Sequence, residues 1–381
     1  MKTKKGFAGI LESLDGERQR RIARKLPAWA GVEVRVPSAL ALEQCSSSAT
    51  AAYKLRLALA RGGGRLGRVC DITGGLGVDS AAFAGAAERL WYFERKPELV
   101  EAARQNFAAL GISNVEFRCE EVGPGTELPE CGLVYADPAR RDAAGRKVFR
   151  LEDCSPDIGA LAPELLRRAE MLMVKLSPMA DISALRRRFG APLREVHVVG
   201  SGGEVKELLC LLLRGNEEFG GIYAAELGAG GGGADELFFF TPEEERDAPL
   251  LCAESLLPGQ TLLEPSACML KAGAFRLPCA RFGARKLAAS THLYVAGEAL
   301  PPAGLFKRFT IEDVLPLNAA TARELKARGL RADVSARNLH LGSAELARRL
   351  GCSPGGEVHV FGCASACYGN VLIVARPQAG V

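Results

Sequence analysis

Apolar and polar positions along this chain follow two periods, one typical of buried strands and one typical of helices. From residue 67 to residue 199, short apolar runs alternate with segments whose apolar residues lie three or four positions apart. This alternation predicts an α/β fold, with a mostly parallel sheet and helices packed on it. The predicted strands are residues 67–72, 89–94, 114–119, 132–136, 170–176 and 194–199.

The same pattern continues beyond these six strands. Leu208–Leu213 is a further apolar run, and residues 221–227 and 235–241 predict a hairpin around a glycine-rich tip. These strands complete a Rossmann-like sheet of seven strands near Thr241. The acidic stretch from Pro242 to Asp247 is interpreted as a linker between domains.

Helical patterns precede this sheet, and a mixture of helices and strands follows it. The predicted helices are Glu12–Lys25, a segment from Ser46 to Ala60, Pro97–Leu110, Ala267–Ala274, Ala319–Arg328 and Ser343–Leu350. The later predicted strands are residues 291–295, 307–311, 357–362 and 370–375. The C-terminal third is therefore predicted to be α+β.

A glycine-rich turn in Val69–Ser80 is the most informative stretch of the sequence. The first strand ends at Asp71, and Gly74, Gly75 and Gly77 follow before an alanine-rich helical pattern. Glycine suits this position because the backbone turns sharply and because a ligand can approach where no Cβ intervenes. The pattern predicts a ligand-binding turn, and an ordinary structural loop is the alternative interpretation.

The end of the second strand indicates which ligand this turn binds. That strand ends at Glu94, 23 residues after Asp71, where a carboxylate can accept hydrogen bonds from both hydroxyls of a ribose. A dinucleotide site would have the order Gly-x-Gly-x-x-Gly, whereas Asp71 to Gly77 reads Asp-x-Thr-x-Gly-x-Gly. The order favours S-adenosylmethionine over NAD.

The fourth strand is followed by the residues that we expect to take part in catalysis, Asp137-Pro138-Ala139-Arg140-Arg141. Ligands of open parallel sheets lie beyond the carboxyl ends of the strands, and this strand lies next to the first. Alternatively, Asp137 and Pro138 only start a turn, and the arginines pair with local acids.

These motifs resemble those of class I S-adenosylmethionine-dependent methyltransferases, with Asp71–Gly77 as motif I, Glu94 as motif II and Asp137-Pro138 as motif IV. More narrowly, Asp-Ile-Thr-Gly-Gly-Leu-Gly-Val-Asp, Phe-Glu-Arg-Lys-Pro and Tyr-Ala-Asp-Pro-Ala-Arg-Arg resemble a bacterial family of RNA methyltransferases with a C-terminal THUMP-like domain. The first two motifs are also similar to those of a guanine-N2 methyltransferase of small-subunit ribosomal RNA. Thr73 stands where many class I enzymes have glycine.

The resemblance implies the roles of particular residues. It implies that S-adenosylmethionine is bound by Asp71, Thr73, Gly74, Gly75, Gly77, Asp79, Glu94, Arg95 and Glu121. Glu121, just after the third strand, would bond the adenine amine. Asp137, Pro138 and Arg140 are the implied catalytic residues.

Methyl transfer to an exocyclic amine agrees with the residue types at the fourth strand. The enzyme must align the nucleophile and stabilise changing charge. Asp137 and nearby backbone carbonyls can accept the hydrogens of the amine, and Arg140 and Arg141 can hold a phosphate. Lys175 and Ser177 are predicted to line the floor of the cleft.

Two further expectations concern the target base. Uracil-C5 methyltransferases need a cysteine nucleophile after the fifth strand, and Lys175–Met179 contains none, while Cys154 lies in a different segment. A target base must leave its stack to reach the methyl group, so the site should offer a stacking surface. Candidates for that surface are Tyr135, Phe149 and Phe189.

Composition and charge place few limits on this interpretation. The hydrophobic fraction of 48% and the charged fraction of 25% are those of an ordinary globular protein. We expect no membrane span, because no run of about 18 apolar residues occurs, and no signal peptide, because the first residues lack an apolar core.

A cytoplasmic location with 12 reduced cysteines is the resulting expectation. Cys363 and Cys367 lack a second pair or a histidine at zinc-binding spacing, so we expect no metal.

The distribution of charge says more about a partner than the net charge of +4 does. Residues 1–25 carry eight Lys or Arg against three Asp or Glu, and residues 275–350 carry thirteen against six. Basic segments near both ends suit a polyanion such as RNA. Solvated helix faces are the alternative interpretation. Arg337-Asn338 is a predicted RNA contact.

The sequence therefore predicts a methyltransferase for a base of structured RNA, such as ribosomal or transfer RNA, with an exocyclic amine favoured over carbon. A methyltransferase for a small molecule or protein is the main alternative, and a non-catalytic S-adenosylmethionine-binding module is a third. The predicted domains are an N-terminal helical segment at 1–60, a class I methyltransferase domain at 61–245, a ferredoxin-like domain at 252–318 and a THUMP-like domain at 319–381.

Overall fold

The chain forms two compact units. The computed structural model describes residues 7–139, 154–215, 218–228 and 234–378, with side chains from residue 16 onward. Unit 1 comprises Met1–Val196 and Glu207–Phe219, and unit 2 comprises His197–Lys206 and Gly220–Val381.

The sheet of unit 1 is formed by β1 (Arg68–Asp71), β2 (Arg89–Phe93), β3 (Val115–Arg118), β4 (Cys131–Ala136), β5 (Ala169–Leu176), β6 (Leu193–Ser201) and β7 (Glu204–Leu213), the last two contributing residues to both units. Its strand order is β3-β2-β1-β4-β5-β7-β6. Strands β1 to β5 pair in parallel, and β7 is antiparallel to β5. The predicted Rossmann-like α/β sheet is confirmed, but among the described residues this sheet has nine strands in all rather than seven.

The continuous apolar strands of this sheet are buried, as expected of parallel strands covered on both faces. Val69, Leu133 and Leu172, on three neighbouring strands, have no exposed surface. The helices of unit 1 are α1 (Phe7–Lys25), α2 (Ala39–Gln44), α3 (Ser48–Arg61), α4 (Val78–Ala84), α5 (Pro97–Ala109), α6 (Ile158–Arg168) and α7 (Ile182–Phe189).

In unit 2, the second half of β6 is followed in the sheet order by β8 (Gly221–Leu227) and β9 (Glu236–Phe240). The acidic stretch interpreted as a linker is instead a helix, α8 (Pro242–Asp247). Its first residues are bound by a capping box between Thr241 and Glu244, and glutamates are favourable in the first turn of a helix. The run of negative charge is therefore a helix-start signal.

The rest of unit 2 is built on a second sheet. Its strands are β10 (Thr261–Pro265), β11 (Arg285–Ala288), β12 (Thr291–Val295), β13 (Phe306–Pro316), β14 (Arg331–Arg337), β15 (Ser353–Ser365) and β16 (Gly369–Pro377), in the order β11-β12-β10-β13-β16-β15-β14. The helices are α9 (Ala267–Ala272), α10 (Leu277–Phe282), α11 (Ala319–Arg328) and α12 (Ser343–Leu350). The predicted α+β character of this part is confirmed.

Helices α11 and α12 bury one side and expose the other. Leu325 of α11 and Leu346 and Leu350 of α12 join an apolar cluster with Val360 and Leu372 of the sheet. Their charged residues face away from that cluster. In the described part of the chain, no helix is long and apolar enough to cross a membrane.

Candidate active site

The glycine turn after β1 is packed tightly against the second strand. A Cβ added at Gly74 would lie 2.1 Å from Cε2 of Tyr92, and one added at Gly77 would lie 2.7 Å from the ring of Phe107. Gly75 and Gly77 have φ angles of +57° and +86°, which strain residues that have a Cβ. The Tyr92 hydroxyl donates to the carbonyl of Gly75 at 2.5 Å. Gly74 and Gly77 are therefore required by close packing, and Gly75 by its positive φ.

Glu94 lies beside this turn and fixes it. Its Oε2 accepts the backbone N–H of Gly75 at 3.0 Å, and its Oε1 accepts that of Lys96 at 2.9 Å. Two carboxylate oxygens can accept about four hydrogen bonds in all, so Glu94 keeps acceptor capacity for a ligand. Thr73, Gly74 and Gly75 are partly exposed, while Leu76 to Ser80 are buried, so a ligand would meet the first half of the turn.

Asp71 is buried below the turn. Its Oδ1 accepts the N–H of Thr73 at 3.0 Å, and its Oδ2 accepts the hydroxyl of Ser80 at 2.5 Å. Burial raises the pKa of Asp71 to about 7, although these two hydrogen bonds favour the ionised form. Asp71 therefore shapes the turn from inside, and its predicted contact with the cofactor stays a prediction.

Thr73 joins the glycine turn to the end of the fourth strand. Its Oγ1 accepts the backbone N–H of Asp137 at 2.6 Å. A glycine at this position could not make this bond, because the acceptor is a side-chain oxygen. The departure from the commonest class I motif thus has a structural role in this chain.

Asp137 is held from a second direction by Lys175. Ala136, which precedes Asp137, pairs with Val174, which precedes Lys175, on neighbouring parallel strands. Lys175 Nζ lies 2.5 Å from Asp137 Oδ2. The side chain of Asp137 is 35% exposed and that of Lys175 only 13%. The predicted position of Lys175 below the carboxylate agrees with this arrangement, while Pro138 is buried and Arg140 lies outside the described residues.

Below this pair lies the buried ion cluster, which we define as Lys54, Asp79 and Glu207. Lys54 Nζ lies 2.9 Å from Asp79 Oδ1 and 3.0 Å from Glu207 Oε1, the latter an ion pair without hydrogen-bond geometry. Asp79 Oδ2 accepts the hydroxyls of Ser46 at 2.7 Å and of Tyr135 at 2.8 Å. The cluster connects α3, α4 and β7 inside unit 1.

Burial affects the two carboxylates of the cluster differently. Burial alone would raise the pKa of Asp79, but Lys54, Lys175 and the hydrogen bond from Ser46 lower it below the ordinary value. Burial raises the pKa of Glu207, against the attraction of the same two lysines. Both oxygens of Asp79 are bound within the protein, which argues for an internal role rather than the predicted contact with the cofactor.

Arg95 and Glu121 form a pair at the surface of unit 1. Arg95 Nη1 lies 3.1 Å from Glu121 Oε1, which also accepts the hydroxyl of Ser155 at 2.6 Å. Both side chains are more than two-fifths exposed. Their predicted contacts with the cofactor stay predictions, and an adenine amine would have to share the carboxylate with Arg95.

Two of the three candidates for a stacking surface are wrong. Tyr135 and Phe189 are buried, with 1% and 7% exposure, so neither ring can stack on a base, and Phe149 lies outside the described residues. Arg337 pairs with Glu264 at 2.6 Å, and Asn338 donates to Thr291 at 3.2 Å. These contacts lie within unit 2, Arg337 keeps 35% of its side chain exposed, and the RNA contact expected at Arg337-Asn338 stays a prediction.

Ser47 is the N-cap of α3. Ser47 and Thr50 form a capping box, while Lys54, one turn further along, enters the cluster.

Sequence reasoning missed the buried ion cluster. Glu207 directly precedes six apolar residues of β7, Leu208–Leu213. The sequence does place the carboxylate of Glu207 at the start of an apolar strand, and a buried charge needs a partner of opposite charge. Nothing in the alanine-rich pattern of α3 identified Lys54 as that partner.

The residues present fit S-adenosylmethionine. Glu94 offers a carboxylate for ribose hydroxyls, the backbone of Thr73, Gly74 and Gly75 is partly exposed, and the space beside Gly75 is open. Asp137 lies next to this backbone through its bond to Thr73. Among the described residues, no group of three or more His, Cys, Asp or Glu could hold a metal ion.

Comparisons with known proteins agree with this fold. Residues 262–301 match a family described as a ferredoxin-like domain, and residues 306–377 match one described as THUMP domain-like. The search of curated proteins gave no match.

Two solved structures show a low level of similarity. A rRNA methylase from Streptococcus thermophilus has a TM-score of 0.32 at 15% identity, covering 42% of this chain and 95% of that one. A human methyltransferase 10 domain-containing protein has a TM-score of 0.39 at 14% identity, covering 54% and 98%.

The similarity to a third solved structure extends over the whole chain. This is the crystal structure of a presumed methyltransferase from Porphyromonas gingivalis W83, with a TM-score of 0.83 and 32% identity. The match covers 100% of this chain and 92% of that chain. The chain therefore belongs to the family of this Porphyromonas methyltransferase, and its own class I methyltransferase fold precedes ferredoxin-like and THUMP-like domains.

Proposed function

We propose that this protein transfers a methyl group from S-adenosylmethionine to an exocyclic amine of a base in structured RNA. The observation that carries the proposal is the position of Asp137. It follows the fourth strand, its backbone is bonded to the glycine turn through Thr73, and its partly exposed carboxylate is paired with Lys175. A carboxylate held in this way can receive a neutral, hydrogen-bearing nucleophile beside a bound cofactor.

The cofactor would be held by the residues of the glycine turn and by Glu94. When bound, it supplies a methyl group on a positively charged sulfur, and the C–S bond electrons remain with the sulfur after transfer. The amine forms the new C–N bond with its lone pair and then loses a proton. Asp137 can accept a hydrogen bond from the amine, orient its lone pair and stabilise the positive charge that develops on nitrogen.

The RNA part of the proposal is supported by the C-terminal resemblance and by charge. Residues 319–350 carry seven Lys or Arg and three Asp or Glu. Six of the basic residues are exposed, and we call them the basic face: Arg323, Lys326, Arg328, Arg331, Arg348 and Arg349. Exposed guanidinium and ammonium groups bind phosphates, and they confer affinity without reading sequence.

The proposal is tested by transfer of tritium from methyl-labelled S-adenosylmethionine to fractionated bacterial RNA. We expect wild type to label ribosomal or transfer RNA, and Asp137→Asn to lower the rate by about 10²–10³-fold while still binding the cofactor. Asp181→Asn is the matched control. Asp181 caps α7 through its side chain, and asparagine caps a helix about as well as aspartate.

Calorimetry with S-adenosylmethionine separates the parts of the proposal. If the protein binds S-adenosylmethionine but labels no RNA fraction, its substrate would instead be assigned as a small molecule or a protein. Absence of cofactor binding in wild type would contradict the proposed activity altogether. Digestion of labelled RNA to nucleosides would identify the methylated base.

A further inference from the structure

Lys175 is the charged group closest to Asp137 among those that the structure describes, and its environment excludes a role as a base. Burial by itself lowers the pKa of Lys175, but the carboxylates of Asp137, Glu207 and Asp79 more than compensate and raise it well above the usual range. An ammonium group with a raised pKa stays protonated near neutral pH. Lys175 therefore cannot accept the proton of a substrate amine.

The contact of Lys175 with Asp137 is directional. Nζ lies against Oδ2 at 2.5 Å from below, while the Asp137 carboxylate is the more exposed partner. The backbone of Asp137 is fixed as well, because its N–H donates a hydrogen bond to Oγ1 of Thr73. With backbone and Oδ2 both held, the carboxylate has one defined orientation, and Oδ1 is the oxygen that the lysine leaves to a substrate.

Lys175 is itself attracted by the carboxylates of the buried ion cluster. Lys54 of the buried ion cluster has no exposed side-chain surface, and it holds Asp79 and Glu207 at 2.9 and 3.0 Å. Those two carboxylates in turn attract Lys175. Alternating charges thus extend from α3 through the cluster to the carboxyl ends of β5 and β4. The attraction of these carboxylates favours a charged Lys175 beside Asp137.

We infer that Lys175 is a positioning residue that occupies Oδ2 of Asp137 and so aims Oδ1 at the hydrogen of the substrate amine. The inference rests on the proposed function, since it assigns how Asp137 meets its substrate. It makes the fifth strand, rather than the fourth alone, part of the methyl-transfer site.

A kinetic cycle with Asp137 tests this role. With labelled S-adenosylmethionine and total bacterial RNA, we expect Lys175→Gln to lower kcat by about 10²-fold and to change KM for either substrate by less than about 3-fold. Lys175→Arg, which keeps the cation, should recover to within about 10-fold of wild type. The double variant Asp137→Asn with Lys175→Gln should be no slower than Asp137→Asn alone, because residues that act as a unit are not additive.

Lys206→Gln is the matched control, because Lys206 pairs with Glu204 at the surface at 2.7 Å. It should leave kcat unchanged. Equal kcat values for Lys175→Gln and wild type, or multiplicative rate losses in the double variant, would overturn the inference while leaving the proposed function intact.

A second cycle uses thermal unfolding and needs no substrate. Lys175→Gln leaves Asp137 without the cation that it is paired with, so adding Asp137→Asn should raise Tm relative to Lys175→Gln alone. Strictly additive Tm changes would show that the two side chains are not coupled, which would overturn the inference even if wild type methylated no RNA fraction.

Discussion

The buried ion cluster of unit 1 and the basic face of unit 2 use charge in opposite ways. Lys54, Asp79 and Glu207 are shielded from water and have partners at about hydrogen-bond distance, so their interactions are strong and little affected by salt. The residues of the basic face are exposed, and two of them pair with acids one helical turn away. Such surface pairs contribute little to stability. The first region can therefore hold a reacting group in place, whereas the second can bind a polyanion reversibly.

The comparison predicts the largest effect at the centre of the cluster. Lys54→Met leaves two carboxylates buried without their cation, so the free energy of unfolding should fall by about 3–5 kcal/mol. Arg328→Met removes an exposed partner of Glu324 and should cost less than about 0.5 kcal/mol. Urea unfolding of both variants checks the contrast. Equal losses in the two variants would show that burial does not distinguish the regions.

A second prediction concerns the pH dependence of Asp71. Its pKa of about 7 in the folded protein exceeds the value of about 3.9 for an unfolded aspartate. A carboxyl group with a raised folded pKa contributes stability that is complete below about pH 4 and lost as the pH rises through about 7. Asp71→Asn cannot ionise, so its stability relative to wild type should rise by up to about 4 kcal/mol between pH 4 and pH 8. Urea unfolding across that range measures this difference, and a difference independent of pH would contradict the assignment.

Thr73 should show an intermediate effect that is larger on rate than on stability. Thr73→Val removes the acceptor for the N–H of Asp137 and should cost about 1 kcal/mol of stability. Methyl transfer should fall by about 10-fold, because a loosened carboxylate is less well aligned. Thr73→Ser keeps the hydroxyl and should behave like wild type. Indistinguishable transfer rates for the valine and serine variants would remove Thr73 from the site.

The smallest effects per residue are expected on the basic face, and they should depend on salt. Replacing Arg323, Lys326 and Arg348 together by glutamine should weaken RNA binding and lower the slope of log affinity against log salt by about 1 for each phosphate that is no longer neutralised. Stability should be nearly unchanged. Fluorescence anisotropy with labelled transfer RNA gives both the affinity and the slope, and an unchanged slope would exclude this face as the RNA surface.

Local periodicity predicted most elements of both units. The predicted ranges of β8 and α11 coincide with Gly221–Leu227 and Ala319–Arg328, because apolar spacing and flanking glycines act over short distances. Pro242–Asp247 was misread for the same local reason. Its glutamates suggested a solvated linker, although a capping box that starts at Thr241 makes them the first turn of a helix.

The candidate site was only partly predictable from sequence. The glycine turn, Glu94 and Asp137 are recognisable because each has a fixed offset from a strand end. Lys54 and Glu207 are not, because what identifies them is burial against each other from distant parts of the chain. Tyr135 illustrates the same limit, since its motif position suggested a stacking surface, while its hydroxyl in fact binds Asp79 inside the fold.

Methyl transfer to transfer or ribosomal RNA, measured against salt, tests the account most directly, because one assay compares the Asp137 carboxylate of unit 1 with the basic face of unit 2. Wild type, Asp137→Asn and the triple basic-face variant would be assayed from low to moderate salt with labelled S-adenosylmethionine. We predict that Asp137→Asn is about 10²–10³-fold slower than wild type at every salt concentration, while the basic-face variant approaches wild type at low salt and loses activity as salt rises. An active Asp137→Asn protein, or a basic-face variant that matches wild type at all salt concentrations, would contradict this account.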